Sequence, residues 1–218
     1  MDKKYLIALA FCFCSTSFAQ SISANQNSKN LYFGISFGQS DHKTLRDPVT
    51  TFSRFDDRDS MYKLVGGYQI NPSVAIELSY VNLGATSQAG ITVSNGVLVS
   101  VSGDTKAYAY TLATKLSAFS PNSPASRRIS ITPFIKLGVS QLSNKPNFSG
   151  NFFGSPVSIS NRAVENTDLY WSIGADYEVM KDLSAVVEYE SFGRAGGGSG
   201  EPAQIKPTGL SVGVIKRF

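Results

Sequence analysis

Eight stretches of this chain alternate apolar residues with small or polar residues, and this alternation constrains the fold more than any other feature. In a β-strand, strict alternation puts the apolar side chains on one face and the polar side chains on the other. Long and short connections separate the stretches, and the last stretch ends on the final residue, Phe218. The pattern predicts an all-β protein with eight antiparallel strands in up-and-down order.

The connections predict which way the strands run relative to a membrane. Outer-membrane barrels have long external loops and short periplasmic turns, and an even number of strands returns the C-terminus to the side of the N-terminus. The long polar connections are 40–60, 83–105, 143–166 and 193–207, and the shorter ones are 71–73, 119–128 and 180–182. We place the strands between them, at 31–39, 61–70, 74–82, 106–118, 129–142, 167–179, 183–192 and 208–218.

The N-terminal segment predicts export. A charged start, an uncharged run over 5–14 and the small residues Ser17 and Ala19 form the pattern of a cleavable signal peptide, 1–19. This leaves one domain, 20–218. The apolar run is too short to span a membrane as a helix, and no later segment is longer and more apolar, so membrane insertion must use strands. The sequence therefore predicts an eight-stranded antiparallel up-and-down transmembrane β-barrel in the cell outer membrane.

Composition and motifs exclude several classes of function. The chain carries 20 basic and 16 acidic residues, and this excess is too small to indicate nucleic-acid binding. Cys12 and Cys14 both lie in the signal segment, so the exported domain has no disulfide or thiol chemistry. No ligand spacing indicates a metal site, and no motif indicates a cofactor. The glycine-rich stretch 196–200 is not followed by a helix, so it is interpreted as a flexible external loop.

Outward-facing aromatic residues gather at the ends of the predicted strands. Outer-membrane barrels carry aromatic girdles where lipid meets water, although aromatic residues also favour strands in general. The expected outer girdle is Phe37, Tyr62, Tyr80, Tyr108, Tyr110 and Trp171, and the expected inner girdle is Tyr68, Tyr177 and Phe218.

Three stretches resemble a known family. They are 65–84 (VGGYQINPSVAIELSYVNLG), 174–189 (GADYEVMKDLSAVVEY) and 210–218 (LSVGVIKRF), and they resemble the OmpA-like transmembrane domain. The resemblance implies insertion by the outer-membrane assembly machinery, with an assembly signal at Leu210, Val212, Val214 and Phe218. We expect no counterpart of the peptidoglycan-binding domain that the full-length relatives carry. Small standalone surface barrels of the OmpX and opacity-protein types are therefore the closer functional comparison.

The resemblance also implies charged residues inside the barrel. Glu77, Lys115 and Asp176 fall on three of the four charged positions that form a proposed gate in the family, whereas the fourth is Val186 here. That substitution argues against a gated pore. Independently of the family, strand alternation predicts an inward charge cluster of Glu77, Lys115, Lys136, Asp176, Glu188 and Arg217. Charges buried in a filled barrel must pair, so we expect salt bridges rather than catalysis.

Four alternative interpretations remain open. A secreted lipocalin-type barrel would put the apolar face inward around a ligand. The interior charges would form an ion path in a narrow, low-conductance pore. A lipid-modifying barrel enzyme would use His42, beside Ser40 and Asp41 on the first external loop. The acidic run 56–59 would bind calcium, although its arginine lowers the local negative charge.

The external connection 83–105 contains the strongest interaction signal. Asn-Gly between β-branched runs favours a type I′ hairpin, and a protruding hairpin has edges that pair with other chains. The alternative is a hairpin that only stiffens the loop. The candidate contact residues are Ile91, Val93, Asn95, Gly96, Val97 and Val99.

The sequence thus favours a non-enzymatic surface protein, with no cofactor, that serves envelope integrity, adhesion or host interaction. Its expected partners are outer-membrane lipid and lipopolysaccharide, the assembly machinery, and a host or surface partner bound through the external loops.

Overall fold

The structure, a computed structural model, describes residues 30–44, 51–56, 58–94, 97–118, 131–152, 155–160, 163–194 and 205–218. The predicted signal peptide lies outside these residues. Ten strands follow one another along the described chain: β1 (Leu31–Thr44), β2 (Thr51–Asp56), β3 (Arg58–Asn71), β4 (Val74–Ser94), β5 (Val97–Ser117), β6 (Ile131–Phe152), β7 (Ser155–Ser160), β8 (Val164–Met180), β9 (Leu183–Ser191) and β10 (Ile205–Arg217).

Eight of these strands close into a barrel, which confirms the predicted fold. Each strand pairs antiparallel with two neighbours in the ring β1–β3–β4–β5–β6–β8–β9–β10, and β10 returns to β1. Full closure leaves no free strand edge within the wall, as a bilayer requires. Within the described residues, no helix is long and apolar enough to cross a membrane.

The barrel has an apolar outer wall and a charged interior. Phe33, Leu78 and Val212 on the outer wall are 53%, 62% and 57% exposed, whereas Lys63 and Glu188 in the lumen are 2% exposed. This inversion argues against a ligand-filled lipocalin-type barrel, because it leaves the apolar face without a protein partner. Only an apolar surrounding makes such a wall stable.

Two apolar clusters lie at different heights in the lumen. The lower cluster lies near the short turns 72–73 and 181–182, and it consists of Tyr32, Ala75, Phe134, Val186 and Ile215. The upper cluster includes Met61, Leu83, Leu142, Phe192 and Ile205. Charged residues occupy the space between the clusters, so the lumen is filled by side chains in successive layers.

β4, β5 and β6 extend far beyond the predicted boundaries, so much of the predicted external loops is paired strand. The upper part of β4 pairs with β5 as far as Ser94 and Val97, and β5 pairs with β6 as far as Ser100 and Asn151. The short strand β2 adds to β4, and β7 adds to β6. These segments form a five-stranded sheet in the order β2–β4–β5–β6–β7 above the upper rim, here called the rim sheet.

A bulge explains why sequence alternation stopped too early in β4. The register shifts between Asn82 and Ala85, where Gly84 has a φ of +79°. A left-handed residue of this kind is favoured as glycine and inserts an extra position into the strand. Alternation therefore changes phase at the bulge, and the continuing strand no longer matches the pattern that preceded it.

The hairpins β3–β4 and β8–β9 are built alike. Asp59, Tyr68, Tyr80 and Gly84 of the first hairpin recur at identical spacing as Asp168, Tyr177, Tyr189 and Gly193 of the second. Gly193 also has a φ of +79°. In each hairpin the aspartate accepts the backbone N–H of the residue after the glycine, Ala85 at 2.6 Å and Arg194 at 2.8 Å.

Candidate functional site

The centre of the lumen holds a network of buried ion pairs. Lys63 on β3 reaches β9, where its Nζ lies 2.7 Å from Glu188 and 2.8 Å from Glu190. Lys136 on β6 bridges Glu77 at 2.6 Å and Glu188 at 2.8 Å. Each lysine thus joins strands that are not neighbours in the barrel wall, because the strand alternation directs all of these side chains inward.

Lys115 completes the lower part of the network. Its Nζ lies 2.6 Å from Asp176 and 3.9 Å from Glu77. The Phe134 ring lies against the same ammonium group, with its centroid 4.1 Å away. Lys115 is therefore chiefly the partner of Asp176, whereas the closest cation to Glu77 is Lys136.

The network differs in membership from the predicted charge cluster. Glu77, Lys115, Lys136, Asp176 and Glu188 come together, but Arg217 is only partly buried at the lower mouth and donates to Ser184 Oγ at 2.7 Å. Lys63 and Glu190 belong to the network and were missing from the cluster. Alternation places both of them inward, so the signal for them was present in the sequence.

Hydroxyl groups donate further hydrogen bonds to the three glutamates of the network. Tyr32 donates to Glu77 at 2.7 Å, Tyr170 donates to Glu190 at 2.7 Å, and Ser172 donates to Glu188 at 2.6 Å. Buried charges that are paired and hydrogen-bonded in this way fix the geometry of the lumen. The described residues contain no group of three or more metal-ligating side chains.

Val186 lies where the resemblance placed it, in the lumen wall. It is 3% exposed within the lower apolar cluster and pairs across the strands with Asp176. The ion network therefore lies between two apolar layers, the lower cluster that contains Val186 and the upper cluster. An ion would have to shed its water to pass these layers, so the arrangement supports a closed lumen.

The prediction that His42 lies on an external loop is wrong. His42 belongs to β1 and is fully buried, and its Nε2 lies 2.8 Å from the Leu83 carbonyl oxygen and 3.2 Å from Ser40 Oγ. Ser40 itself donates to the Leu83 carbonyl. The histidine therefore links β1 to β4 inside the barrel rather than facing a lipid substrate at the rim.

The acidic run 56–59 is divided between two strands. Asp56 ends β2, Asp59 lies in β3, and residue 57 lies outside the described residues. The Asp59 carboxylate accepts backbone N–H groups from Ala85 and Ser60, both at 2.6 Å. The hydrogen bond from Ala85 lowers the pKa of Asp59 most, and the hydrogen bonds from Ser60 lower it further. Asp59 thus clamps the bulge above the membrane-spanning part.

Aromatic rings form a continuous row on the outer wall below the rim sheet. The ring centroids of Tyr62 and Tyr80 are 6.2 Å apart, those of Tyr80 and Tyr110 are 5.3 Å apart, and those of Tyr108 and Tyr110 are 6.3 Å apart. At the lower edge, the ring centroids of Phe33 and Phe218 are 6.1 Å apart. Such rows are typical of the levels at which lipid headgroups meet the barrel.

The residues of the expected assembly signal lie together on the lipid-facing wall. Leu210, Val212, Val214 and Phe218 are all exposed on the outer face of β10 and at its end. Position 216 belongs to the same stripe and is the exposed Lys216.

The pairing register divides the candidate contact residues of the rim sheet. Residues opposite each other on neighbouring strands share a face. Ile91 lies opposite Ser100 and Val93 opposite Leu98, whereas Val97 lies opposite Ser94 and Val99 opposite Thr92. Ile91 and Val93 are therefore on one face, and Val97 and Val99 are on the other. Asn95 and Gly96 lie outside the described residues.

Comparison with known protein families gives a match over nearly the whole chain. A sequence profile described as "Outer membrane protein beta-barrel domain" matches residues 6–218. A search of curated proteins found no match.

Solved structures resemble the whole barrel. The chain is similar to Neisserial surface protein A (NspA), with 15% identity over 88% of this chain and 98% of that one, at a TM-score of 0.52. It is also similar to OprG from Pseudomonas aeruginosa, with 16% identity over 87% and 96% and a TM-score of 0.52. Ail, the attachment invasion locus protein of Yersinia pestis, matches with 19% identity over 87% and 98% and a TM-score of 0.50, in a complex with the heparin analogue sucrose octasulfate.

Proposed function

The chain belongs to the outer membrane protein β-barrel family, and from this premise we propose that it is a non-enzymatic surface protein that contacts a partner through its rim sheet. The observation that carries the proposal is the contrast between a filled lumen and a large paired sheet above the rim. A barrel that only anchored itself would have no need of strands that continue past the aromatic row.

The rim sheet has the geometry of an interaction surface. Within the described residues, β2 pairs only with β4, and β7 pairs only with β6. Each short strand thus leaves one row of backbone N–H and C=O groups available for an added strand. The upper β4–β5 hairpin lies between these edges and carries β-branched residues on both faces.

The lumen supports the same conclusion from the opposite direction. Lys63, Lys115 and Lys136 are held by buried carboxylates, and apolar clusters lie above and below them. Transport through such an interior would require these ion pairs to break. A surface role therefore fits the described interior better than a pore.

The partner class is extracellular, a host or surface molecule. Ail was crystallised with a heparin analogue, and we propose sulfated glycan as the first probe for this chain as well. Lys106 and Lys145 lie directly opposite each other on β5 and β6, and both are exposed at the base of the rim sheet. Two like charges in this position repel each other, and a bound sulfate group would relieve that repulsion.

The experiment compares cells that display the intact protein with cells that display a shortened rim sheet. The variant replaces residues 88–103 with an Asn-Gly turn between Ser87 and Asp104, which lie opposite each other in the register. We expect the barrel to fold, as shown by a heat-modifiable band, while binding to host cells and to immobilised heparin falls at least about tenfold, a change of about 1.4 kcal/mol. Full binding by the folded variant would refute the proposal.

Two matched double variants identify the face in contact. Ile91→Thr with Val93→Thr alters one face of the hairpin, and Val97→Thr with Val99→Thr alters the other, at equal cost in β-propensity. If the partner docks on one face, the double variant that alters this face loses binding, and the other double variant keeps it. If both double variants and Lys106→Gln bind the partner as well as the wild type does, neither the hairpin nor the base of the rim sheet is the contact surface.

A further inference from the structure

The outer wall of the barrel is dented on one side. A groove of about 830 Å³ crosses β9, β10, β1, β3, β4 and β5, from Phe218 and Leu183 at the lower edge to Tyr80 and Tyr110 at the upper aromatic row. The strands themselves are continuous here, so the groove arises from the sizes of the outward side chains.

Gly66 lies on the floor of the groove. It occupies an outward position on β3 between Leu64 and Tyr68, and it lies opposite Phe33 of β1 and Leu78 of β4. A Cβ atom built at Gly66 would lie 3.3 Å from the Phe33 ring, and no backbone atom is among its near neighbours. The Phe33 ring therefore lies over Gly66, and a larger side chain at this position would push the ring aside and fill part of the groove.

Lys216 lies at the lower end of the same groove. Its cross-strand partners are Phe33 and Leu183, and it lies between Val214 and Phe218 on the lipid-facing stripe. Among outward-facing residues of the described strands between the two aromatic levels, it is the one charged side chain. No carboxylate of the described chain forms an ion pair with it.

An ammonium group on an apolar wall needs an anion. Its aliphatic stem lies along the apolar surface while the charged end seeks the polar edge of the membrane. At that depth the available anion is the phosphate of a phospholipid. A zwitterionic headgroup partly neutralises its own phosphate, whereas an anionic headgroup leaves the full charge for the lysine.

We propose that this groove is a binding site for one anionic phospholipid of the periplasmic leaflet, with an acyl chain against Gly66 and Phe33 and the phosphate on Lys216. The site rests on membrane insertion of the barrel and is independent of any partner at the rim sheet. It adds a defined lipid to the general lipid contact of the wall.

The test measures lipids retained by the purified, folded protein. The protein in detergent is titrated with phosphatidylglycerol or phosphatidylethanolamine of identical acyl chains, and bound lipids are counted by native mass spectrometry. We expect one phosphatidylglycerol, retained roughly fivefold to tenfold better than phosphatidylethanolamine, a preference of about 1.0–1.4 kcal/mol.

Three variants separate the headgroup from the groove. Lys216→Gln is expected to abolish the preference for phosphatidylglycerol, and Gly66→Leu is expected to reduce retention of both lipids. Lys206→Gln removes an equal charge from the same strand above the rim and is expected to leave binding unchanged. The proposal is overturned if Lys216→Gln retains the wild-type preference, if Lys206→Gln loses it equally, or if the wild type retains both lipids alike. If Gly66→Leu does not fold, the Lys216 comparison decides the question alone.

Discussion

Replacing Lys136 with methionine should destabilise the barrel more than any single change on its outer wall. The Lys136 side chain is 2% exposed, and its ammonium group is shared by Glu77 at 2.6 Å and Glu188 at 2.8 Å. Methionine keeps an unbranched side chain of similar length, so the variant removes the charge without opening a large cavity. Any loss of stability then reports the ion pairs.

The magnitude follows from what remains around the two carboxylates. Glu77 keeps the Tyr32 hydroxyl at 2.7 Å and Lys115 at 3.9 Å, whereas Glu188 keeps Lys63 at 2.7 Å. Removing one member of a buried ion pair costs about 3–5 kcal/mol, because the remaining charge stays desolvated. We expect the upper half of that range, since one lysine serves two carboxylates.

Glu190→Gln is the matched control. Among the described residues the lumen buries four carboxylates (Glu77, Asp176, Glu188 and Glu190) but three ammonium groups (Lys63, Lys115 and Lys136). Glutamine at 190 balances the two and still accepts the hydrogen bond from Tyr170. This variant should therefore cost no more than about 1.5 kcal/mol, the scale of one ordinary hydrogen bond.

Urea unfolding of barrels refolded into lipid vesicles measures both variants. Trp171, the single tryptophan of the chain, reports the transition by fluorescence, and the heat-modifiable gel band reports the folded fraction. A Lys136→Met barrel within about 1 kcal/mol of wild type, or a Glu190→Gln barrel as unstable as Lys136→Met, would show that the buried ion pairs do not stabilise the lumen.

The remaining predictions concern assembly, the lumen and export. Deleting Phe218 should leave export intact and reduce the folded fraction in the outer membrane, measured by protease resistance; a normal folded fraction would contradict its role in assembly. Val186→Arg should fold, because Asp176 lies opposite and its Oδ1 makes no hydrogen bond within the described structure; loss of the heat-modifiable band would contradict this. Planar bilayers should show no steady conductance for the wild type, and an open ohmic pore would contradict the closed lumen. N-terminal sequencing of the membrane fraction should begin at Gln20, and an uncleaved chain would refute the signal peptide.

Strand number and the inside–outside assignment could be predicted from the sequence because both depend on alternation. Every second residue meets a different environment, so the pattern survives in each wall segment without knowledge of its neighbours. The inward position of Lys63 follows from the same rule. Its partners do not, because Glu188 and Glu190 are brought to it across the lumen by barrel closure.

The rim sheet could not be predicted because its signal is interrupted. After the bulge at Gly84 the outward positions change from even to odd numbers, and the following residues are polar or small. β7 is six residues long and folds back directly on β6, whereas β2 is six residues long and pairs with β4, with all of β3 between them in the chain. Such pairing is decided by register and closure rather than by local composition. The same polar composition made the segments resemble loops.

The two alike hairpins show where this chain departs from a plain membrane anchor. Both carry the Asp–Gly clamp at the level of the upper aromatic residues, at Gly84 in one half and at Gly193 in the other. Beyond the clamp the halves diverge. β9 ends at Ser191, before its glycine, whereas β4 continues to Ser94 and carries β2 on its edge. Since the wall is complete below both clamps, the added strands on one side contribute nothing to closure within the membrane. Their backbone order costs roughly 1–2 kcal/mol per residue in conformational entropy. Ordering extra strands on one side of a closed barrel is expected where those strands bind a partner. The rim sheet is therefore the first surface to test in binding experiments.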